Sequence, residues 1–345
     1  ILRRKALQIM RGFFIIEITI NLIQRNLNFL AEILPVFNKS SKKTHLPAWP
    51  ERRKMTYCQF VQEVKEKVKE GVKADQSVTL YTSVKNNGVK RTGLMFSEQG
   101  INVAPAIYLE SFYEDYQKGQ RLEDVADEIL VLYGKVKADH SWEEDCFQCY
   151  EKVRDRIVFR LINRKANEEL LKTIPYVPYL DLAVVFYVLV DVNVHGTVSL
   201  LIREPLLLEW KVSVKELYDQ ALQNTPSLFP YEFRALRAVI EEVFPSDRQS
   251  EEEYMYVLSN RFQSFGAAVI LYPNRLKQIG CVMDDDYYVL PSSVHEVLIV
   301  PAEYVRNRQM LDEMVREVNQ VCVEEEEILS DHAYYYDRSE DLLTM

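Results

Sequence analysis

The run Val78-Thr79-Leu80-Tyr81-Thr82-Ser83-Val84-Lys85, then Asn86-Asn87-Gly88, then Val89-Lys90-Arg91-Thr92-Gly93-Leu94-Met95-Phe96 decides what kind of chain this is. Its two arms are rich in Val, Thr, Tyr and Phe, side chains that suit a pleated, half-buried surface. The Asn-Gly step supplies two residues that tolerate positive φ, as a tight connection between antiparallel strands requires. The stretch reads as a β-hairpin. Before it, Phe60, Val61, Val64 and Val68 recur at helical spacing between Thr56 and Glu70, and Gly71 ends the pattern. After it come a turn at Ser97 to Gly100, an extended segment over Ile101 to Leu109, and a helix over Leu122 to Lys137 with Val125, Ile129, Leu132 and Val136 on one face. Residues 55–140 therefore form a small helix-meander-helix unit.

The polar stretch Asp139 to Asp145, with Trp142 inside it, is a connection, and residues 141–345 form a larger α+β domain. A short helix is predicted around Cys146 to Val153. Strands are predicted at Ile157 to Leu161, Ala183 to Val192, Thr197 to Ile202, Tyr254 to Leu258, Ala267 to Leu271, Tyr287 to Leu290 and Glu296 to Val300. Helices are predicted at Ser213 to Asn224, Tyr231 to Val243, Asn274 to Ile279 and Tyr304 to Val323. Several strands follow one another too closely for crossover helices, so the expected fold class is α+β with one mainly antiparallel sheet and helices on one face. Asp331 to Met345 is polar around Tyr334-Tyr335-Tyr336 and either frays or folds back to dock those rings.

With 48% hydrophobic residues among 345, the chain buries a sizeable core, which excludes disorder as its default state. Its ten glycines include no G-x-G pair, which removes dinucleotide-binding fingerprints and phosphate-cradling loops. The hydrolase elbow G-x-S-x-G, H-E-x-x-H and the kinase signatures are absent as well. No motif calls for a cofactor. Five cysteines are an odd count, and Cys58, Cys146, Cys149 and Cys322 fall in helical segments, which points to a reducing cytoplasm rather than a secreted disulfide framework.

Residues 1–54 are a different kind of sequence. They hold 11 Lys/Arg against 3 Asp/Glu, a balance of +8, and leave 31 against 49 for the remainder, a balance of −18. Glu17, Arg25 and Glu32 interrupt the apolar stretch Phe13 to Phe37, and central charges cost about 2.5–3.5 kcal/mol each on insertion, which argues against a membrane span. Arg11 and Glu17 also break any secretory apolar region. The run Glu51-Arg52-Arg53-Lys54 before Met55 is how a purine-rich ribosome-binding site would read if translated. Met55 is therefore the expected start, with residues 1–54 a non-native leader, and any peptide from before Met55 in the native protein would overturn this.

Several stretches resemble a bacterial family of unknown function, domain of unknown function 5688. They are Asn86-Asn87-Gly88-Val89 with Thr92-Gly93-Leu94, Asn102-Val103-Ala104-Pro105 with Ile107-Tyr108-Leu109, Leu161-Ile162-Asn163 through Asn167-Glu168-Glu169-Leu170-Leu171, Met255 to Asn260, and Leu290-Pro291-Ser292-Ser293-Val294-His295-Glu296-Val297. The resemblance runs from Met55 to about the end. A fainter likeness of element order links Ser259 to Leu271 and Leu290 to Val300 with domain of unknown function 1444. Neither resemblance implies an activity or catalytic residues.

The most pointed constellation is Ser292, Ser293, His295 and Glu296, which gathers the groups of a base and a nucleophile. If the segment is a strand, Ser293 and His295 share one face and Glu296 takes the other, so Ser293 with His295 is the candidate catalytic pair. The bland alternative is a turn before a buried strand. Cys146-Phe147-Gln148-Cys149 with His140 gives one C-x-x-C pair where structural zinc needs four ligands, so no metal is expected. Asp284-Asp285-Asp286 reads as a solvated turn and Glu324 to Glu327 as an exposed helix end. Clustered cations are lacking after Met55, which argues against nucleic acid. The 21 tyrosines favour protein contacts, and Pro175-Tyr176-Val177-Pro178-Tyr179 reads as a rigid loop presenting Tyr176 and Tyr179 to a protein partner. The leading reading is a non-enzymatic, acidic, cytoplasmic bacterial protein that works through such contacts. The alternative is a hydrolase-like enzyme using His295 as general base.

Overall fold

The structure, a computed structural model, describes residues 55–73, 76–98, 106–138, 147, 149–193, 196–241 and 255–345. The leader expected at 1–54, most of the expected third extended segment, and His140, Trp142 and Cys146 lie outside the described residues. The chain is α+β and falls into two compact units, one ending at Phe147 and the other following it.

In the N-terminal unit, helix α1 (Tyr57–Gly71) opens on a capping box. The Thr56 hydroxyl accepts the Gln59 N–H, and the Gln59 side chain accepts the Thr56 N–H at 3.0 Å, satisfying two otherwise orphaned donors. Strands β1 (Gln76–Val84) and β2 (Lys90–Glu98) form the expected antiparallel hairpin, with Leu80 opposite Leu94. Asn87 and Gly88 both take positive φ, 58° and 76°, as the turn chemistry demands. Strand β3 (Ala106–Tyr108) adds to β2. Helix α2 (Glu110–Gln117), which periodicity did not suggest, precedes α3 (Leu122–Ala138). Phe60, Val64 and Val68 of α1 meet Val78, Leu94 and Phe96 of the sheet and Val125 and Ile129 of α3 in one core, where Phe96 stacks on Tyr133.

The C-terminal unit contains two antiparallel sheets instead of the single one expected. After α4 (Tyr150–Val153), the first is built on β6 (Leu182–Asn193). Strand β4 (Ile157–Asn163) pairs along one side, and β5 (Tyr176–Tyr179) and β7 (Gly196–Leu201) share the other, with α5 (Glu168–Leu171) between β4 and β5. The expected aromatic loop is thus strand β5. Its Pro178 is accommodated because β5 is an edge, where a missing N–H costs no ladder bond. Helices α6 (Glu204–Trp210) and α7 (Val214–Leu228) follow. The Thr225 hydroxyl of α7 accepts the Phe159 N–H of β4, fixing helix to sheet.

The second sheet runs, in spatial order, β13 (Leu342–Thr344), β12 (Tyr334–Asp337), β10 (Tyr287–Leu290), β11 (Val297–Pro301), β9 (Tyr256–Asn260) and β8 (Tyr231–Ala235). Two expectations fail here. Tyr231 to Val243 splits into strand β8 (Tyr231–Ala235) and helix α8 (Leu236–Glu241), because Tyr231 to Ala235 pairs with β9 (Tyr256–Asn260). Ala267 to Leu271 belongs to a buried 3-10 helix, Gly266–Leu271, not a strand. Helix α9 (Arg275–Met283), strands β10 (Tyr287–Leu290) and β11 (Val297–Pro301), and helix α10 (Arg308–Val321) complete the core. The C-terminal tyrosines dock: β12 (Tyr334–Asp337) pairs with β10, β13 (Leu342–Thr344) pairs with β12, and Tyr334 and Tyr336 are fully buried. Nor is the acidic triplet merely solvated. Asp286 accepts the Tyr335 hydroxyl and the Arg338 N–H, Asp285 accepts the Glu303 N–H, and Asp284 pairs with Arg338.

Candidate functional site

The constellation named by the sequence lies where the two C-terminal sheets meet. Strand β9 ends at Asn260, whose amide shapes the following loop. Its Oδ1 accepts the N–H of Phe262 at 3.0 Å and of Ser264 at 3.4 Å, and its Nδ2 donates to the Ser264 carbonyl at 2.8 Å. Two non-glycine residues of that loop, Gln263 and Phe265, sit in the left-handed region at φ 50° and 52°, a conformation the surroundings must impose. Gly266 follows because a Cβ there would lie 2.1 Å from Ser259 Oγ and 2.5 Å from the His295 carbonyl oxygen.

The loop carries the Phe265 ring over the guanidinium of Arg160, 3.7 Å from its carbon. The Tyr187 ring lies 4.1 Å from the same carbon, and Nη2 donates to Ser199 Oγ at 2.7 Å. Arg160 is 7% exposed and makes no ion pair among the described residues. Burying a cation without a carboxylate is costly, and two aromatic faces with one hydroxyl offset part of that cost.

His295 stands beside Phe265, ring centroids 5.3 Å apart. Its Nδ1 accepts the Phe265 N–H at 3.3 Å, and its Nε2 lies 3.5 Å from Glu327 Oε1, with the side chain 23% exposed. The Ser259 hydroxyl ties down the His295 carbonyl at 2.7 Å. Burial lowers the imidazole pKa, but the hydrogen bond to Glu327 and the charges of Glu296 and Glu327 outweigh it and hold the value above the ordinary one. Burial also raises the Glu296 carboxyl above the usual carboxylate range, with Glu327 adding in the same direction against the opposing His295 and Ser293.

The strand expected at Glu296 to Val300 is present as β11, which begins at Val297, and Ser292 to Glu296 is not strand but the turn before it. Ser293 instead makes a bridge to Ile328, the chain bends at Val294 and His295, and segment 291–294 is bonded to 327–330 through Val294 N–H to Glu327, Leu329 N–H to Ser292 and Ser330 N–H to Pro291. Alternation of faces therefore does not govern Ser293 and His295. Ser293 Oγ accepts the backbone N–H of His295 at 3.0 Å, and among the described residues no hydrogen bond joins it to the imidazole. The third group near the ring, Glu327, comes from a short 3-10 turn, Glu325–Glu327, so the expected exposed helix end is in part an internal ion-pair partner. A tract of four glutamates gives no sign of which one turns inward. Arg160 was equally hidden, one cation in a β-rich run.

A cavity of about 10 Å³, room for one water, adjoins the cluster and is lined by Arg160, Thr225, Asn260, Ser264, Phe265 and Tyr272 among others. Among the described residues no group of three or more His, Cys, Asp or Glu side chains is arranged to hold a metal ion. Of the expected contact pair, Tyr176 is 37% exposed, whereas Tyr179 is half-buried and burial pushes its hydroxyl up to about 12. Chemically, the cluster is an imidazole beside a carboxylate, with Nδ1 accepting the Phe265 N–H and Nε2 3.5 Å from Glu327.

Among known proteins, a family of unknown function, DUF5688, matches residues 57–338, and the chain belongs to that family. No curated protein and no solved structure matches it. Among the described residues, no helix is long and apolar enough to cross a membrane.

Proposed function

We propose that the protein acts in the bacterial cytoplasm by binding another protein chain, with the His295 cluster serving as a structural joint of its C-terminal unit. The observation that carries this reading is the engagement of both His295 ring nitrogens, one by the Phe265 N–H and one facing Glu327, while the Ser293 hydroxyl is taken up by the His295 N–H and the Glu296 carboxyl. An enzymatic base needs a free nitrogen within reach of a reacting proton. Substrate pockets run to about 300–1,000 Å³, far beyond the one-water cavity next to Arg160 and Phe265, which His295 does not line. The net charge of −18 after Lys54 favours solubility and disfavours phosphate backbones. Tyr176, exposed on edge strand β5, supports contact with protein at that edge.

His295→Ala in the full chain tests this reading, followed by thermal melting and native mass spectrometry. The expected result is a marked loss of stability and no small-molecule adduct on either protein. A stoichiometric metal or small-molecule mass on the wild type, lost in His295→Ala with melting unchanged, would return the site to a hydrolase-like enzyme with His295 as base and Ser293 or a bound water as nucleophile.

A further inference from the structure

We infer that β1 is the seam of a homodimer, pairing antiparallel with β1 of a second copy about a two-fold axis opposite Leu80. The inference rests on the protein-contact reading and names the partner.

Among the described residues β1 pairs with β2 alone, so its other side is a sheet edge. The register shows what that edge offers. Lys85 donates to Val89 across the hairpin, and Leu109 donates to the Thr92 carbonyl on the opposite side of β2. Hydrogen-bonded pairs alternate along an antiparallel ladder, so Ser83, Tyr81, Thr79 and Ser77 point their backbone groups at β2. Val78, Leu80, Thr82 and Val84 consequently direct N–H and C=O outward along the edge.

Exposed edges of this length are normally blunted by Lys, Pro or a bulge. The nine residues from Gln76 to Val84 contain neither charge nor proline, and their pairing with β2 is unbroken. That neutrality stands out in a chain with a balance of −18 after Lys54. Two such edges meet without placing like charges opposite one another.

Charge also selects the direction. Lys85, Lys90 and Arg91 gather at the hairpin tip, while Glu98 lies at its base, in register with Gln76. Parallel pairing would set two basic tips side by side. Antiparallel pairing separates them by about 30 Å, the length of nine strand residues, and sets each tip beside the other copy's acidic base. The two-fold axis puts Leu80 opposite its own counterpart and Thr82 opposite Val78. Tyr81, 40% exposed, then lies beside Thr79 of the second copy as a cross-strand neighbour, and the two three-stranded sheets become one of six.

Sedimentation of the full chain at about 10–100 μM tests the proposal, with Thr82→Pro as the variant. The Thr82 N–H faces away from β2, so proline there removes an intermolecular donor and leaves the hairpin ladder whole. Twice the 40.5 kDa chain mass is expected for the wild type and the single-chain mass for Thr82→Pro, with far-UV circular dichroism unchanged and a melting point that rises with concentration only in the wild type. Should the variant fail to fold, amide exchange of the wild type decides: Leu80 and Thr82 should exchange slowly when concentrated and fast on dilution. A wild type of single-chain mass throughout, a folded Thr82→Pro that still dimerises, or fast exchange independent of concentration overturns the pairing. A single-chain wild type leaves the broader contact reading to the native mass measurement above.

Discussion

Nδ1 of His295 accepts the Phe265 N–H while Nε2 of the same ring faces Glu327, so one imidazole ties the loop after β9 to the turn before residue 328. The two contacts pull protonation in opposite directions. A neutral ring with its proton on Nε2 satisfies both, whereas a charged ring sets a second proton against the Phe265 N–H. The carboxylates prevail and raise the His295 pKa, and burial raises that of Glu296.

Both folded-state values lie above the ordinary ones of 6.5 and 4.5, so the folded protein binds protons more tightly than the unfolded chain. Their stabilising contribution is full below those ordinary values and is lost as pH rises through the folded ones. Melting temperature should therefore fall as pH rises above those ordinary values, by about 2–4 °C for each kcal/mol involved. Glu296→Gln should flatten the profile and raise the melting point at the alkaline end of the titration. A flat wild-type profile in differential scanning calorimetry would mean that the Phe265 contact keeps the ring neutral.

Gly266 is fixed by space. A Cβ at this position would lie 2.1 Å from Ser259 Oγ, 2.5 Å from the His295 carbonyl oxygen and 2.7 Å from the Asn260 nitrogen, two of which are backbone atoms that cannot rotate away. Gly266→Ala should cost about 2–4 kcal/mol in urea denaturation. A loss below about 0.5 kcal/mol, the range of neutral surface changes, would show that the loop yields freely.

How much of this was legible in the sequence depended on whether the signal was local. The Asn86-Asn87-Gly88 hairpin and the α1 and α3 faces were readable because turn chemistry and helical spacing are carried by the residues themselves. Tyr231 to Val243 was misread because its apolar spacing suits a helix throughout, while pairing with β9 draws Tyr231 to Ala235 into the sheet. Ala267 to Leu271 is a short apolar run of the kind that periodicity cannot assign, and the structure makes it 3-10. Tyr334-Tyr335-Tyr336 has no polar contrast to reveal that alternate rings are buried. At the candidate site, His295 and its neighbours in sequence were visible, but Glu327, Phe265 and Arg160 arrive from three other elements and left no local trace.

Asp181 holds the C-terminal strand to the first sheet's hairpin. Its Oδ1 accepts the Tyr334 hydroxyl, and its Oδ2 accepts the Ser330 hydroxyl at 2.7 Å. Asp181→Ala should cost about 2–4 kcal/mol, because it leaves the buried Tyr334 hydroxyl without a partner. Tyr334→Phe should cost less, and the double variant should be more stable than the sum of the two predicts. Additive losses in a urea-denaturation cycle would remove Asp181 as the partner that matters.

Arg160 separates packing from charge. Its guanidinium is buried between Phe265 and Tyr187 with Ser199 as its hydrogen-bond partner and no carboxylate within ion-pair distance among the described residues. If the side chain serves chiefly to fill the space between the two sheets, an unbranched apolar residue of similar length should do nearly as well. A buried charge without a counter-charge adds little net stability. Arg160→Met should then fall within about 1 kcal/mol of wild type, whereas Arg160→Ala should lose about 2–4 kcal/mol through the cavity it opens. Arg160→Lys should be worse than Met, because the compact, strongly hydrated ammonium loses the planar stack between the rings while keeping the cost of burial. Equal losses for Met and Ala would overturn this ordering and make the cation itself, and whatever anion it attracts, the reason for its place in the fold.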